Sequence, residues 1–258
     1  MKDSLTGRRV AVTRPRAQAG ALMEQLAARG AIPIAFPTIE IAPLDDTRQL
    51  DRAIAALNTY DWAIFTSANG VRAFFERMAA LGGLAFPQAT AAAAIGPATA
   101  QALAMEGVAS RFVPSTYVAE AIAAEIGDVQ GRRILLPRAE IAREALAVAL
   151  RQRGAQVDEV ASYRTLQTEP DAQAMAELQR GVDAILFTSS STVRGYVELA
   201  GRATGSAVIA CIGPITAQTA RELGLRVDAV AAEYTTGGLL QALADYFDVR
   251  ETSREKTI

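Results

Sequence analysis

An internal repeat is the feature of this 258-residue sequence that most constrains its fold. Short segments recur in the same order in both halves. Residues 8–12 and 29–31 recur 124 residues later as 132–136 and 153–155. Residues 65–67 and 71–72 recur 122 residues later as 187–189 and 193–194, and residues 95–101 recur 117 residues later as 212–218. Chance similarity is a poor explanation for a shared order, and a repeat of this kind indicates a duplicated structural unit. We predict a tandem duplication of a five-strand α/β unit.

The alternation of apolar segments predicts the class of each unit. Runs of strand length, such as Val10 to Thr13, alternate with amphipathic segments of helix length, such as Ala17 to Arg29. This alternation is typical of βα units with parallel sheets and flanking helices. Pro15 ends the first strand and Gly30 closes the first helix, as expected at those positions.

One extended stretch in each half interrupts this pattern. Residues 36–43 and 160–166 alternate apolar and polar side chains after a strand that should turn directly into a helix. Equivalent extended segments could pair as a two-stranded connector. The domains would then be residues 1–36 plus 169–258, and residues 44–159, with 37–43 and 160–168 as the connector. A simple split near Gln130-Gly131 remains open.

Composition excludes several classes of function. With 26 Lys and Arg against 28 Asp and Glu, the net charge is −2, so no broad positive field exists to bind nucleic acid or an anionic membrane. The sequence contains no histidine, which removes the usual general base, the usual metal ligand and every Ser-His or Cys-His dyad. Neither dinucleotide nor P-loop motifs occur. We expect no metal and no metal-dependent or triad hydrolysis.

Location and chain ends are predicted from a few further features. The single cysteine, Cys211, cannot form an intrachain disulfide, which fits a reducing cytoplasm. No apolar run reaches the roughly 18 residues that cross a bilayer, and the polar start lacks a signal-peptide core. We expect a soluble cytoplasmic protein without membrane contact, and disordered ends at residues 1–7 and 249–258.

Candidate ligand-binding residues lie where parallel strands end, because helix N-termini present free N–H groups there. They are Ser67 and Asn69 after the strand at 62–65, Thr188 and Ser189 after the strand at 184–187, Thr99 and Thr216 in helices that open with Gly-Pro, and Arg14 and Arg138 at the ends of the opening strands. Taken alone, the serines and Asn69 are better explained by plain helix capping. Together, such donors suit a ligand with many carboxylates in a protein without a basic patch.

The succession of motifs resembles the uroporphyrinogen-III synthase family over residues 8 to 247. The motifs are Thr13-Arg14-Pro15, Phe65 to Val71, Ala161 to Thr165, Phe187-Thr188-Ser189, Ile212 to Ala217 and Tyr234-Thr235. The resemblance implies two flavodoxin-like domains joined by a two-stranded β-ladder, with substrate in the cleft between them. It also implies a cofactor-free monomer that could contact the preceding pathway enzyme transiently, and it adds Tyr234 to the substrate-binding residues.

The resemblance further implies a reaction. Such enzymes take hydroxymethylbilane, lose its hydroxyl to give an azafulvene cation, and close the ring by way of a spiro intermediate that inverts the last pyrrole. Because water is released, the class is a lyase. Tyr163 is the candidate to assist the leaving hydroxyl, since a phenol with an ordinary pKa near 10 can donate a proton.

Two other functions remain compatible with the sequence. Duplicated α/β lobes also describe small-molecule-binding proteins, here a cytoplasmic one. An inactive paralogue would keep the same two-lobed fold without turnover. Formation of the type III isomer from hydroxymethylbilane separates these alternatives from an active synthase.

Overall fold

The computed structural model describes residues 3–169 and 171–255, with side chains described up to residue 250. The strands are β1 Arg9–Val12, β2 Ile32–Ala35, β3 Ile39–Ala42, β4 Trp62–Phe65, β5 Ala91–Ala94, β6 Ser110–Phe112, β7 Arg133–Ala139, β8 Gln156–Gln167, β9 Ala184–Phe187, β10 Val208–Cys211 and β11 Ala229–Val230. The helices are α1 Arg16–Ala28, α2 Arg48–Ala55, α3 Ala68–Ala80, α4 Pro97–Met105, α5 Ala119–Glu125, α6 Ala145–Gln152, α7 Ala172–Gln179, α8 Ser190–Ala200, α9 Pro214–Glu222 and α10 Thr236–Glu255.

The chain forms two compact units, each built on one sheet. Unit 1 is Met1–Glu40 with Leu166–Ile258, and unit 2 is Ile41–Thr165. Unit 1 contains a five-stranded sheet of order β11-β10-β9-β1-β2, and the six-stranded sheet has the order β3-β8-β7-β4-β5-β6. The division between units falls inside β3 and inside β8, which are neighbours in the six-stranded sheet.

The strand order reveals how the two repeats combine. Numbered within one repeat, the five-stranded sheet has the order 2-1-3-4-5, which is the flavodoxin-like arrangement, and the six-stranded sheet has the same order with β3 added at its edge. In unit 1, β1 and β2 come from the first repeat and β9, β10 and β11 from the second, whereas β7 and β8 of the second repeat complete unit 2. The pairs β1–β2, β1–β9 and β4–β7 are all parallel. The predicted α/β class with parallel sheets is therefore confirmed, and the repeats are interleaved between the units.

Helices cover both faces of each sheet. Alternate residues of a strand point to opposite faces, so Val10 packs with α1 and α10 in one cluster, whereas Ala11 packs with α8 and α9 in another. Strands β9 and β10 are buried along their whole length, as expected for parallel strands covered on both sides. The buried free thiol of Cys211 belongs to this core.

The described parts of the chain ends are ordered, contrary to the expectation of disorder. Leu5 is fully buried among residues of α1 and α10, and the Ser4 hydroxyl donates to the Ala244 carbonyl at 3.2 Å. Burial of one leucine contributes about 2 kcal/mol, enough to fix a short segment. The backbone of α10 continues to Glu255. Residues 1, 2 and 256–258 lie outside the described part.

Candidate functional site

The predicted ligand-binding residues lie at the carboxyl edge of the two sheets, each within its own unit. In unit 1 they are Arg14 after β1, Thr188 and Ser189 after β9, Thr216 beyond β10 and Tyr234 beyond β11. In unit 2 they are Arg138 near the end of β7, Ser67 and Asn69 after β4, and Thr99 beyond β5. The strand order reverses between β1 and β9, and between β7 and β4, which is where α/β sheets bind ligands.

A buried phenol meets a serine at the edge of unit 2. The Tyr163 hydroxyl lies 3.2 Å from Ser67 Oγ, and Ser67 Oγ also accepts a hydrogen bond of 2.9 Å from the Gly70 N–H at the start of α3. Tyr163 is 8% exposed. Burial raises its pKa above the ordinary value, and the hydrogen bond to Ser67 opposes the rise. The phenol is therefore protonated at neutral pH and can act as a donor.

An irregularity in strand pairing sets the position of Tyr163. Along β7 and β8 the register shifts between Arg138, opposite Ala161, and Ala139, opposite Tyr163. Ser162 is the additional residue, and its hydroxyl donates to the Arg138 carbonyl at 3.2 Å. Such bulges redirect a side chain and are common beside active sites. The direction of the Tyr163 side chain is therefore set by the bulge at Ser162 as well as by the alternation of side chains along β8.

The serines and Asn69 have structural partners at the helix starts. Ser189 and Thr192 form a capping box at the start of α8, and Ser189 Oγ lies 2.9 Å from Ser191 Oγ. Asn69 Oδ1 accepts from Arg72 at 2.7 Å. Helix capping is thus the visible role of Ser67 and Ser189, and binding would add to it rather than replace it.

The two threonines are the less committed donors. Thr99 and Thr216 are the third residues of α4 and α9, each after a glycine N-cap and a proline, and are 4% and 5% exposed. Among the described residues, none forms a hydrogen bond with either hydroxyl. Neither hydroxyl oxygen is among the fully buried atoms that lack a partner in the described part of the chain, so each can be reached by a ligand or water.

Two tyrosine rings lie on the glycines that open α4 and α9. A Cβ at Gly96 would lie 3.0 Å from Cγ of Tyr117, and a Cβ at Gly213 would lie 3.4 Å from the Tyr234 ring. Both glycines have extended backbone, so close approach of the ring, not backbone conformation, requires their lack of a side chain. Both tyrosines are half-buried. Each therefore offers a partly exposed aromatic surface at the carboxyl edge of its own unit.

The two predicted arginines differ in their surroundings. Arg14 is partly buried directly after β1. The Arg138 guanidinium forms an ion pair with Glu159, which also pairs with Arg151 at 2.9 Å. The Arg138 side chain is 17% exposed, so it is neither solvated nor uncommitted.

Comparison with known proteins identifies the family. The sequence matches the family described as uroporphyrinogen-III synthase HemD over residues 20–241. The chain belongs to the uroporphyrinogen-III synthase family. The resemblance inferred from the motifs is thereby confirmed, and the family takes precedence over the small-molecule-binding alternative.

Individual relatives agree with the family. A uroporphyrinogen-III synthase of Synechococcus elongatus is 38% identical, over 95% of this chain and 97% of its own length. The porphyrin biosynthesis protein HemD of Ruminiclostridium josui is 31% identical over 92% of this chain but only 48% of its own. A mutant uroporphyrinogen III synthase of Thermus thermophilus has the same fold, with a TM-score of 0.65 over 94% of this chain and 99% of that chain at 24% identity.

The sequence predictions omitted Tyr117 from the candidate site of this family member. Tyr117 stands 117 residues before Tyr234, the offset that already relates the Gly96 and Gly213 segments. That offset is the sequence signal that could have identified Tyr117. The signal is weak, because Val113 and Val230 are the only other identical pair at this offset within four residues of the tyrosines. The structure adds the decisive observation, which is the shared contact of each ring with its glycine.

Other parts of the described chain offer few alternative sites for the synthase chemistry. A cavity of about 870 Å³ in unit 1 is lined by α10 and β11, including Gln241 and Tyr246, and none of the predicted residues lines it. Within residues 3–169 and 171–255, no group of three or more His, Cys, Asp or Glu side chains could hold a metal. In the same part of the chain, no helix is long and apolar enough to cross a membrane.

Proposed function

We propose that this protein is an active uroporphyrinogen-III synthase, a lyase that cyclises hydroxymethylbilane to uroporphyrinogen III with loss of water in tetrapyrrole biosynthesis. Family membership supports the reaction. The observation that carries the proposal is the buried, protonated Tyr163 phenol beside Ser67 at the carboxyl edge of unit 2. It is a proton donor in a protein without histidine.

The proposed role of Tyr163 is to assist departure of the hydroxyl. The bond between the hydroxymethyl carbon and its oxygen breaks, the electron pair leaves with the oxygen, and the phenol proton completes water. The substituted α-carbon of the last pyrrole attacks the azafulvene cation to give the spiro intermediate, and the bond from that carbon to its original methylene bridge then breaks to give a second azafulvene cation. The free α-carbon of the inverted ring captures this cation, and the proton lost when the ring regains aromaticity returns to the phenolate. Proton donation of this kind contributes about 10²–10⁴-fold to a rate.

Positioning supplies the remainder of the proposed rate enhancement. The pyrroles of the substrate provide the electron push, and the free bilane closes unaided to the symmetric type I isomer. The protein must therefore hold a geometry that favours attack with inversion and must outpace the spontaneous closure, for which orientation alone is a sufficient source of rate. No cofactor is needed for these steps.

We propose that uncharged donors hold the carboxylates of the substrate. The donors proposed within unit 1 are Thr188, Ser189, Thr216 and Tyr234, together with the charged Arg14, and those proposed within unit 2 are Ser67, Asn69, Thr99 and Tyr117. The proposal is supported by the net charge of −2 and by the threonine hydroxyls at two helix starts, which have no hydrogen-bond partner in the part of the chain that the structure describes. Helix N-termini favour anions by about 0.3–1 kcal/mol each.

We further propose that residues 37–43 and 160–168 connect a domain of residues 1–36 plus 169–258 with one of residues 44–159. The observed division, between 40 and 41 and between 165 and 166, falls inside both segments. A fragment that ends at residue 130 should then fail to fold as a domain, whereas one of residues 41–165 should give a cooperative unfolding transition. Folded, stable halves split at 130 would contradict the division.

We also propose a cytoplasmic monomer that contacts the preceding pathway enzyme transiently. The instability of hydroxymethylbilane favours direct transfer, since any delay allows closure to type I. Light scattering of the purified protein tests the monomer, and a decrease in the type I fraction at high concentrations of both enzymes tests the transfer.

The isomer assay decides the proposal. Freshly generated hydroxymethylbilane is supplied to the purified protein, and the oxidised products are resolved into type I and type III isomers. An active synthase gives a majority of type III at a rate proportional to protein concentration. An inactive paralogue gives only the type I product at the spontaneous rate.

Thr99→Ala and Thr216→Ala are expected to weaken substrate binding without loss of fold. One hydrogen bond to a charged group contributes about 1.5 kcal/mol, so the KM for the bilane should rise roughly tenfold for each variant. Thr99→Ser and Thr216→Ser keep the hydroxyl and should restore KM. Thr59→Ala is the matched control, because that hydroxyl donates to the Ala56 carbonyl, away from the carboxyl edge. Equal KM values for alanine and serine variants would exclude hydroxyl binding.

Tyr117→Ala is expected to resemble Tyr234→Ala. Each substitution removes an aromatic surface beside a helix start, and loss of one stacking or edge contact costs about 1 kcal/mol, or roughly fivefold in KM. Tyr117→Phe keeps the ring and tells whether the hydroxyl matters. If Tyr117→Ala leaves KM unchanged while Tyr234→Ala raises it, the two tyrosines are not equivalent and Tyr117 only packs on Gly96.

A further inference from the structure

The two repeats differ in the turn that follows the opening strand. In unit 1, α1 begins at Arg16, and the equivalent residue of the second repeat is Glu140, 124 positions later. Helix α6, however, begins only at Ala145. Residues 140–144 are therefore an open segment where the other repeat has the first helical turn. This segment follows β7 directly, at the edge that contains Tyr163.

Specific contacts hold this open segment in place. The Glu140 N–H donates to the Tyr163 carbonyl at 2.9 Å, which fixes the start of the segment to β8. The Arg138 guanidinium donates to the carbonyls of Arg143 at 3.3 Å and Ala142 at 3.4 Å, which fixes its end. A guanidinium has five N–H donors in a rigid fork and can bridge such groups together.

Glu159 anchors the guanidinium from the other side. Arg138 and Glu159 form an ion pair with side chains 17% and 18% exposed, and among the described residues the buried Glu159 Oε2 takes part in it without a hydrogen bond. Removing one partner of such a sheltered pair leaves the other charge without compensation, so the remaining side chain should move towards solvent. A substrate carboxylate would have to compete with Glu159 for the same cation. These contacts are more typical of a guanidinium that holds protein segments together than of one that binds a ligand.

The geometry points to Arg138 as a positioning residue: together with Glu159 it holds residues 140–144 beside Tyr163 and acts on cyclisation through that segment, not by binding a substrate carboxylate. The inference rests on the proposed synthase activity for its kinetic consequence. Ile141, 89% exposed within the segment, is an apolar side chain that the arrangement keeps at the polar edge. Loss of the anchor would release both Ile141 and the Glu140 contact with the Tyr163 strand.

Kinetics of Arg138→Met, Arg138→Lys and Glu159→Gln distinguish positioning from binding. Positioning predicts that all three lower kcat about tenfold with KM changed less than twofold, since lysine cannot reproduce the fork. Direct binding predicts that Arg138→Met raises KM, that lysine largely rescues it, and that Glu159→Gln lowers KM by releasing the guanidinium. The second pattern would overturn the inference.

Arg151→Met is the matched control, because Arg151 also pairs with Glu159, but its other hydrogen bond goes to the Val157 carbonyl and not to residues 140–144. It should leave kcat unchanged. Hydrogen exchange in the absence of substrate gives a readout that is independent of activity. Amides of residues 140–144 should exchange faster in Arg138→Met and Glu159→Gln than in the wild type and in Arg151→Met. Unchanged exchange would refute the anchoring even if the protein proved inactive, whereas failure of the proposed function would appear as wild-type protein that makes no type III isomer.

Discussion

Replacement of Tyr163 by phenylalanine should lower the rate of type III formation roughly 100-fold, the lower end of acid catalysis by a positioned side chain. The ring keeps its buried place on β8, so the fold should be unchanged. Ser67 loses the 3.2 Å contact with the phenol but still caps α3 through the Gly70 N–H. The loss should therefore appear in kcat, with KM and the free energy of unfolding changed little.

The equivalent position in the first repeat supports a chemical role for this hydroxyl. Ile39 stands 124 residues before Tyr163 and is likewise buried, so an apolar side chain meets the packing needs of the position. Tyr60→Phe is the matched control. Tyr60 is another buried tyrosine of unit 2, its hydroxyl donates to Asp158 at 2.7 Å, and burial followed by this carboxylate raises its pKa to about 12. We expect Tyr60→Phe to reduce stability and to leave kcat intact.

The pH dependence gives a second test of the same assignment. Because burial raises the Tyr163 pKa above its ordinary value of 10.0, the phenol stays protonated throughout the range from about pH 7 to 9. The ratio of wild-type to Tyr163→Phe rates should therefore be constant over that range, and it should decline only when pH rises through the elevated pKa. A ratio that falls between pH 7 and 8, or equal rates for the two proteins, would contradict proton donation by Tyr163.

Much of the fold follows from the sequence because the determining signals are local or periodic. Strands β9 and β10 are continuous apolar runs, and glycine and proline mark the ends of the helices around them. The offsets between repeats identify equivalent strands. They do not decide which partner each strand takes, since β1 could pair with β4 or with its equivalent β9 in the same geometry. Only the assembled structure distinguishes these pairings.

The candidate site was predictable in position but not in its contacts. Ser67, Thr99 and their repeats follow strands, and parallel strands bring such residues to one edge. The pairing of Arg138 with Glu159 depends on the register of β7 against β8, which no spacing in the sequence reveals. The additional residue at Ser162 is equally invisible, because its polar side chain gives no sign that it is buried next to Tyr163 where two residues oppose one.

Gly195→Ala should destabilise unit 1 although alanine is the better helix former. Gly195 lies inside α8, and a Cβ there would stand 2.5 Å from the carbonyl oxygen of Thr38 and 3.1 Å from Ile39 Cγ2. Thr38 cannot yield easily, because it is fully buried and its hydroxyl donates to the Thr192 carbonyl at 3.0 Å. Overpacking of this kind costs about 1–3 kcal/mol, and the upper part of that range applies when backbone must move.

Helix propensity opposes this cost by about 1 kcal/mol, so the net loss should be near 2 kcal/mol and the Tm should fall by roughly 4–8 °C. Gly20→Ala provides the comparison, because Gly20 lies in α1 of the same unit, is exposed, and has nothing within 4 Å of the added Cβ. Propensity alone acts there, so the Tm should rise. Both variants lie in unit 1 and report on the unfolding of that unit, which makes the opposite signs directly comparable. Shifts in the same direction would mean that α8 does not lie as close to Thr38 as the 2.5 Å approach requires.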